Sequence, residues 1–213
     1  MDVKAGFFER YRVRVCVLVL LCGCSTCVWA QFARIERHPV LSDVMERFVV
    51  EHVKGNLATV IRSNSGQYFG QVSEGANATG FGSFYTDQDG EVYGVFFNGS
   101  LLTGIRLGGL VAKVGTEEHY AAYDLTTGRM QYVEYGGQQF LPDAESLERC
   151  RFLQMTYPDG GKYVGETVDG KRSGFGLYYY TNGNYYFGRY EEGRPVGYGA
   201  LFRTDNRVVI QRW

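Results

Sequence analysis

Few residue groupings in this chain have the types and spacing that chemistry requires. His119 follows Glu117 and Glu118, the one acid–base cluster of note. A general acid and a general base must converge on one reacting atom, but consecutive residues of a strand point to opposite faces. The three therefore read as a solvated strand end. Asp87-Gln88-Asp89-Gly90-Glu91 has the outline of a calcium loop. It lacks the third ligand before the glycine and the distant glutamate that such a loop uses, so it reads as a turn. Cys150, in Leu147-Glu148-Arg149-Cys150-Arg151-Phe152-Leu153, reads as a small apolar residue of a helix rather than a nucleophile. Asn77-Ala78-Thr79 and Asn98-Gly99-Ser100 satisfy the glycosylation triplet, which has meaning only in a eukaryotic secretory host. No catalytic residue, metal or cofactor is expected.

The aromatic residues are better candidates. Tyr178-Tyr179-Tyr180 is followed closely by Tyr185-Tyr186-Phe187. On a strand, Tyr178 and Tyr180 share one face and Tyr179 takes the other. One set builds a core, and the other is free to line a groove for a peptide or lipid. Tyr178, Tyr179, Tyr180, Tyr185 and Tyr186 are therefore the candidate binding surface, with packing of all five into the sheet as the competing reading.

The elements that position these rings show in the glycines. Tyr163-Val164-Gly165, Asp169-Gly170 and Gly174-Phe175-Gly176 return as Tyr186-Phe187-Gly188, Glu192-Gly193 and Gly197-Tyr198-Gly199, each landmark displaced by 23 residues. Matched positions at one spacing make a repeat, and repeats of this length are stacked supersecondary units. Tyr68-Phe69-Gly70, Glu74-Gly75 and Gly80-Phe81-Gly82 keep the order with one extra residue. Val92-Tyr93-Gly94, Asn98-Gly99 and Gly104 follow 24 residues on, with Arg106 where the next glycine is due. His119–Leu125 and Arg129–Tyr135 flank Gly128 as a degenerate hairpin. Within each unit Gly170 and Gly193 suit tight turns, while Gly165, Gly174, Gly176, Gly188, Gly197 and Gly199 leave slots on the strands for tyrosine rings.

Two helices are expected beside the hairpins. Ser42-Asp43 with Glu46 form a capping arrangement for a helix that stops at Gly55. Pro142-Asp143 open a second, over about Asp143 to Met155. Either serves as an end cap for a repeat array. Arg207 to Trp213 is a closing strand without a new glycine pattern.

The first thirty residues read as an address. Lys4, Arg10, Arg12 and Arg14 precede sixteen uncharged residues, Val15 to Ala30. A basic segment, a short apolar core and small residues at its end describe a secretory signal. Cleavage after Ala30 is favoured. Leu21-Cys22-Gly23-Cys24 resembles a bacterial lipobox, which makes Cys24 a candidate lipidation site. A retained anchor is a third outcome, although the apolar run is shorter than the ~20 residues that span a bilayer. Four of the five cysteines lie in this signal, which leaves Cys150 without an intramolecular disulfide partner. Without residues 1–30 the chain has 18 basic and 21 acidic residues, a balance that makes nucleic acid an unsuitable partner.

The pattern Tyr-x-Gly, Asp/Glu-Gly, Gly-x-Gly, closing on an aromatic and an Asp/Asn-Gly turn, resembles the MORN repeat (membrane occupation and recognition nexus). The resemblance is close over Tyr163–Gly183 and Tyr186–Asn206, recognisable over Tyr68–Gly90 and partial over Val92–Gly104. It implies a mainly β fold, an elongated antiparallel sheet of stacked MORN-type hairpins with one or two short capping helices. It also implies a non-catalytic scaffolding module that binds a protein partner, a phospholipid surface or a second copy of itself. The domain reading is 1–30 signal (or lipoprotein signal 1–23), 31–57 linker and N-terminal helix, and 58–140 divergent hairpins. Residues 141–156 follow as a helical interruption, and 157–213 hold the best repeats and the closing strand. Location is expected to be secreted, periplasmic or anchored to the cell envelope. The alternative class is a hydrolase whose site the sequence does not display.

Overall fold

The computed structural model describes residues 32–33, 59–63, 66–73, 75–87 and 90–213. The signal, Cys24 and the helix expected after Ser42 lie outside the described residues. The rest is mainly β and antiparallel, as expected, but it forms two sheets instead of one.

The first sheet is a meander of nine antiparallel strands: β2 (Thr59–Ser63), β3 (Gly66–Val72), β4 (Ala78–Thr86), β5 (Gly90–Phe97), β6 (Ser100–Gly108), β7 (Val111–Gly115), β8 (His119–Asp124), β9 (Met130–Tyr135) and β10 (Gln138–Pro142). The two-residue β1 (Phe32–Ala33) pairs in parallel with β10. The second sheet is a six-stranded meander: β11 (Cys150–Thr156), β12 (Lys162–Val168), β13 (Lys171–Tyr179), β14 (Tyr185–Glu191), β15 (Arg194–Phe202) and β16 (Val208–Arg212). Short turns keep consecutive strands adjacent. Asp169-Gly170 and Glu192-Gly193 both have positive φ at each residue (51°/75° and 47°/84°), the primed turn whose twist matches a hairpin.

The break between the sheets falls at the expected interruption, though its helix is shorter than the sequence suggests. α1 (Ala144–Arg149) starts where expected, with the Asp143 carboxylate accepting from the Ser146 N–H at 2.7 Å. It buries no residue, so nothing holds a longer helix on the core. From Cys150 the chain is strand. Phe152 alternates into the core, and Cys150 to Thr156 pair residue for residue with Val168 to Lys162. Cys150 is thus a half-buried strand residue, not a helical one.

The glycines spaced along the sequence meet in space. Gly165 pairs with Gly176, Gly176 with Gly188 and Gly188 with Gly199, one row across four strands. Gly70, Gly82, Gly94 and Gly104 form the same row in the first sheet. Tyrosine rings fill six of these slots, while Gly94 lies against Leu101. Tyr163 covers Gly165 and Gly176, Tyr186 covers Gly188 and Gly199, and Tyr68 covers Gly70 and Gly82. Gly174 and Gly197, expected to leave slots for rings, instead take positive φ (75° and 67°). Gly174 lies against the Glu166 side chain, and Gly197 has nothing within 4 Å. The Tyr163 hydroxyl donates to the Glu166 carbonyl (2.8 Å) and the Tyr68 hydroxyl to the Gln71 carbonyl (2.7 Å). A register shift falls directly after each of Gly70, Gly165 and Gly188. At the first two, the shifted side chain reaches across to a backbone N–H. Gln71 Oε1 accepts from Phe81 (2.9 Å) and Glu166 Oε2 from Phe175 (2.8 Å).

The tyrosine roofs occupy one face of each sheet, and the opposite faces pack on each other. Phe81, Val95, Ile105, Phe175, Leu177 and Phe187 belong to one buried cluster built from both sheets. Ring contacts cross the seam at Phe69–Phe202 (5.9 Å), Phe81–Phe187 (6.4 Å) and Tyr123–Phe152 (5.9 Å). A sheet apolar on one face must cover it, and here the second sheet covers the first.

Candidate functional site

The outer face of the six-stranded sheet carries an aromatic array. β12 contributes Tyr163, β13 Tyr178 with Tyr180 just beyond it, and β14 Tyr186 and Tyr190. Tyr157, after β11, and Trp213, after β16, complete it at either end. Tyr163, Tyr186 and Tyr190 form the buried floor, with Tyr163 edge-on to Tyr190 (5.2 Å, 80°). Above the floor Tyr178 packs against Tyr157 (5.8 Å) and Tyr180 (4.9 Å). Trp213 stands edge-on to Tyr186 (6.3 Å, 89°). Tyr180 and Trp213 are the exposed rims, at 43% and 61% of their full surface. Strand alternation explains the arrangement, since alternate residues from neighbouring strands align on one face.

The other candidate tyrosines face the seam. Tyr179 donates to the Tyr93 hydroxyl (3.2 Å), which donates to Glu91 Oε2 (2.6 Å). The Tyr185 and Ser83 hydroxyls share a hydrogen bond (3.1 Å), and the Tyr185 ring stacks on Phe202 (4.6 Å, 5°). Burial, first of all, pushes the phenols of Tyr93, Tyr179 and Tyr185 above their ordinary range. They stay neutral, as hydroxyl donors between two sheets must. The five tyrosines thus separate into Tyr178, Tyr180 and Tyr186 on the outer face and Tyr179 and Tyr185 inside.

The remaining candidates do not gather. Glu117 pairs with Arg106 (2.8 Å) on the surface, while the His119 ring packs on Tyr135 (5.2 Å). Glu91, the last residue of the calcium-like stretch, is the acceptor for Tyr93. Asn98 sits in the exposed turn between β5 and β6.

A cleft of about 640 Å³ opens at the end of the seam near α1, lined by His119, Tyr123, Cys150, Glu166, Ser173 and Arg189 among others. One of its carboxylates is already engaged, because Glu166 accepts from the Tyr123 hydroxyl (2.8 Å) as well as from Phe175 N–H. Burial, with Glu166 beside it, keeps the Tyr123 phenol well above its usual range. This bond ties β8 to β12 across the seam, so Glu166 serves the joint between sheets.

Sequence reasoning missed Tyr157, Tyr190 and Trp213. Tyr157 had a signal, since it precedes Tyr180 by the same 23 residues as the other landmarks. Tyr190 also had one, being four residues past Tyr186 on a strand and so on the same face. Trp213 had one as well, since it follows Tyr190 by the same 23 residues. Comparison with protein-family models and with curated proteins finds no match.

Proposed function

We propose that the chain is a non-catalytic binding and scaffolding module that holds a protein partner against the outer aromatic face of its six-stranded sheet. The observation that carries this reading is the rim of Tyr180 and Trp213, two large rings left exposed above a buried tyrosine floor. Rigid aromatics on a fixed backbone are the residue types that dominate binding energy at interfaces, because they bury area at little entropic cost. The MORN-like glycine spacing supports the same class of function, and the signal-like N-terminus supports action outside the cytoplasm or at the envelope.

Panning a displayed library of linear peptides against the chain tests this. Peptides enriched on the parent are expected to bind the Tyr180→Ser/Trp213→Ser variant about 100-fold or more weakly, as the loss of two aromatic anchors implies. The thermal transition is expected to stay close to the parent's, since both rings are exposed. Peptide binding that ignores both substitutions, or flotation of the unlipidated chain with phospholipid vesicles in place of peptide binding, overturns the reading.

A further inference from the structure

Arg172, near the start of β13, extends its guanidinium into the tyrosine array. Its central carbon lies 5.1 Å from the ring centre of Tyr190, 5.7 Å from Tyr157 and from Tyr178, and 5.9 Å from Tyr163. Each ring presents its π-system to the cation, an attraction that strengthens where water is partly excluded. Arg172 is half-buried, and one of its nitrogens donates to the Gly193 carbonyl of the next turn. Four rings and a carbonyl fix it in one orientation.

Among the described residues no carboxylate lies within ion-pairing distance of Arg172. Of the acids near the start of β13, Asp169 is paired with Arg149 (2.7 Å) and Glu192 with Lys171 (2.8 Å). Arg151 gives its donors to the Leu147 and Cys150 carbonyls. A guanidinium has five N–H donors in a planar fork that matches a carboxylate, and stacking on rings leaves the edges of the fork available.

We infer that Arg172 is the specificity-determining residue of the outer face and that it selects a partner segment bearing an aspartate or glutamate carboxylate. This rests on the reading of that face as a protein-binding surface. The tyrosines hold the fork rigid and partly dehydrated, so a carboxylate meets a preorganised site while its apolar neighbours pack on Tyr180 and Trp213. A single fixed arginine fits one carboxylate. An anionic membrane is instead held by several free basic side chains acting together, and Lys171 and Arg149 are already paired.

Two displayed peptide libraries, identical except that one encodes Asp and Glu where the other encodes Asn and Gln, separate the outcomes. The parent chain is expected to enrich the acidic library about tenfold or more over the amide library, the scale of a charge-assisted contact. Arg172→Gln is expected to abolish that preference while retaining Tyr180-dependent binders. Arg172→Lys, which keeps the charge and loses the fork, is expected to fall between, and it replaces Arg172→Gln if that variant does not fold. Equal enrichment of both libraries with binders still lost on Tyr180→Ser sinks the carboxylate inference and leaves the aromatic face standing. An acidic preference that survives Arg172→Gln, or one in which vesicles containing phosphatidylserine replace peptide as the Arg172-dependent ligand, also overturns it. Binders indifferent to Tyr180 from both libraries sink the face itself.

Discussion

Gly176→Val is expected to destabilise the protein by about 3–5 kcal/mol, the range set by overpacking together with displacement of a buried aromatic. The Tyr163 ring lies directly over the Gly165–Gly176 pair, and a Cβ on Gly176 would fall inside it. Tyr163 is 0% exposed, and its hydroxyl is tied to the Glu166 carbonyl, so the ring has nowhere to go without losing its burial and its hydrogen bond. Displacing it also disturbs the floor beneath Tyr178 and Arg172. Gly170→Ala is the matched control. Nothing lies within 4 Å of a Cβ there, and only the φ of 75° resists the side chain. Its cost is about 1–2 kcal/mol, the penalty of left-handed backbone for an L-residue. Denaturant unfolding of the two variants checks the difference. Equal, small losses would mean that the ring does not depend on the bare glycines.

Phe187→Ala is expected to cost about 3–5 kcal/mol, the usual loss for a buried phenylalanine, and to weaken both sheets together. Phe187 is 0% exposed. It stacks on Phe175 in its own sheet (5.7 Å, 7°) and meets Phe81 of the other sheet edge-on (6.4 Å, 67°). The cavity left by truncation therefore opens into a core that the two sheets share. Hydrogen exchange under mild denaturant reads the outcome strand by strand. Protection in β4 and β5 is expected to fall along with that in β13 and β14. Loss confined to the second sheet would show that the seam contributes little to the first.

The strands were largely legible in the sequence, because their signals are local. Gly70, Gly82, Gly165 and Gly188 announce themselves by spacing, and Asp169-Gly170 and Glu192-Gly193 are turn chemistry that needs no tertiary context. Alternation also separates Tyr179 from Tyr178 and Tyr180 correctly. The division into two sheets was not legible. An alternating strand such as Tyr185–Glu191 shows two apolar sides, and nothing local says which one meets a second sheet. The long helix was expected because Leu147 and Phe152 are apolar at a spacing that can suit a helix. Pairing of Cys150 to Thr156 with β12 decided otherwise, a gain visible only once β12 is present. The environment of Arg172 was hidden for a related reason. Its four rings come from three strands and the turn after β11, and no spacing along the chain brings a guanidinium to them.

The division of the tyrosines between a core and a binding surface is tested most directly by limited nitration of the folded chain, with each site mapped by mass spectrometry. Nitration proceeds through the accessible phenolate, so exposure and the upward shift of buried phenols act in the same direction. Tyr180 is expected to react early, while Tyr179 and Tyr185 stay unmodified until the chain unfolds. Nitration of Tyr179 or Tyr185 at the rate of Tyr180 would contradict it, since the seam would then be open and the outer face would have no special claim to a partner.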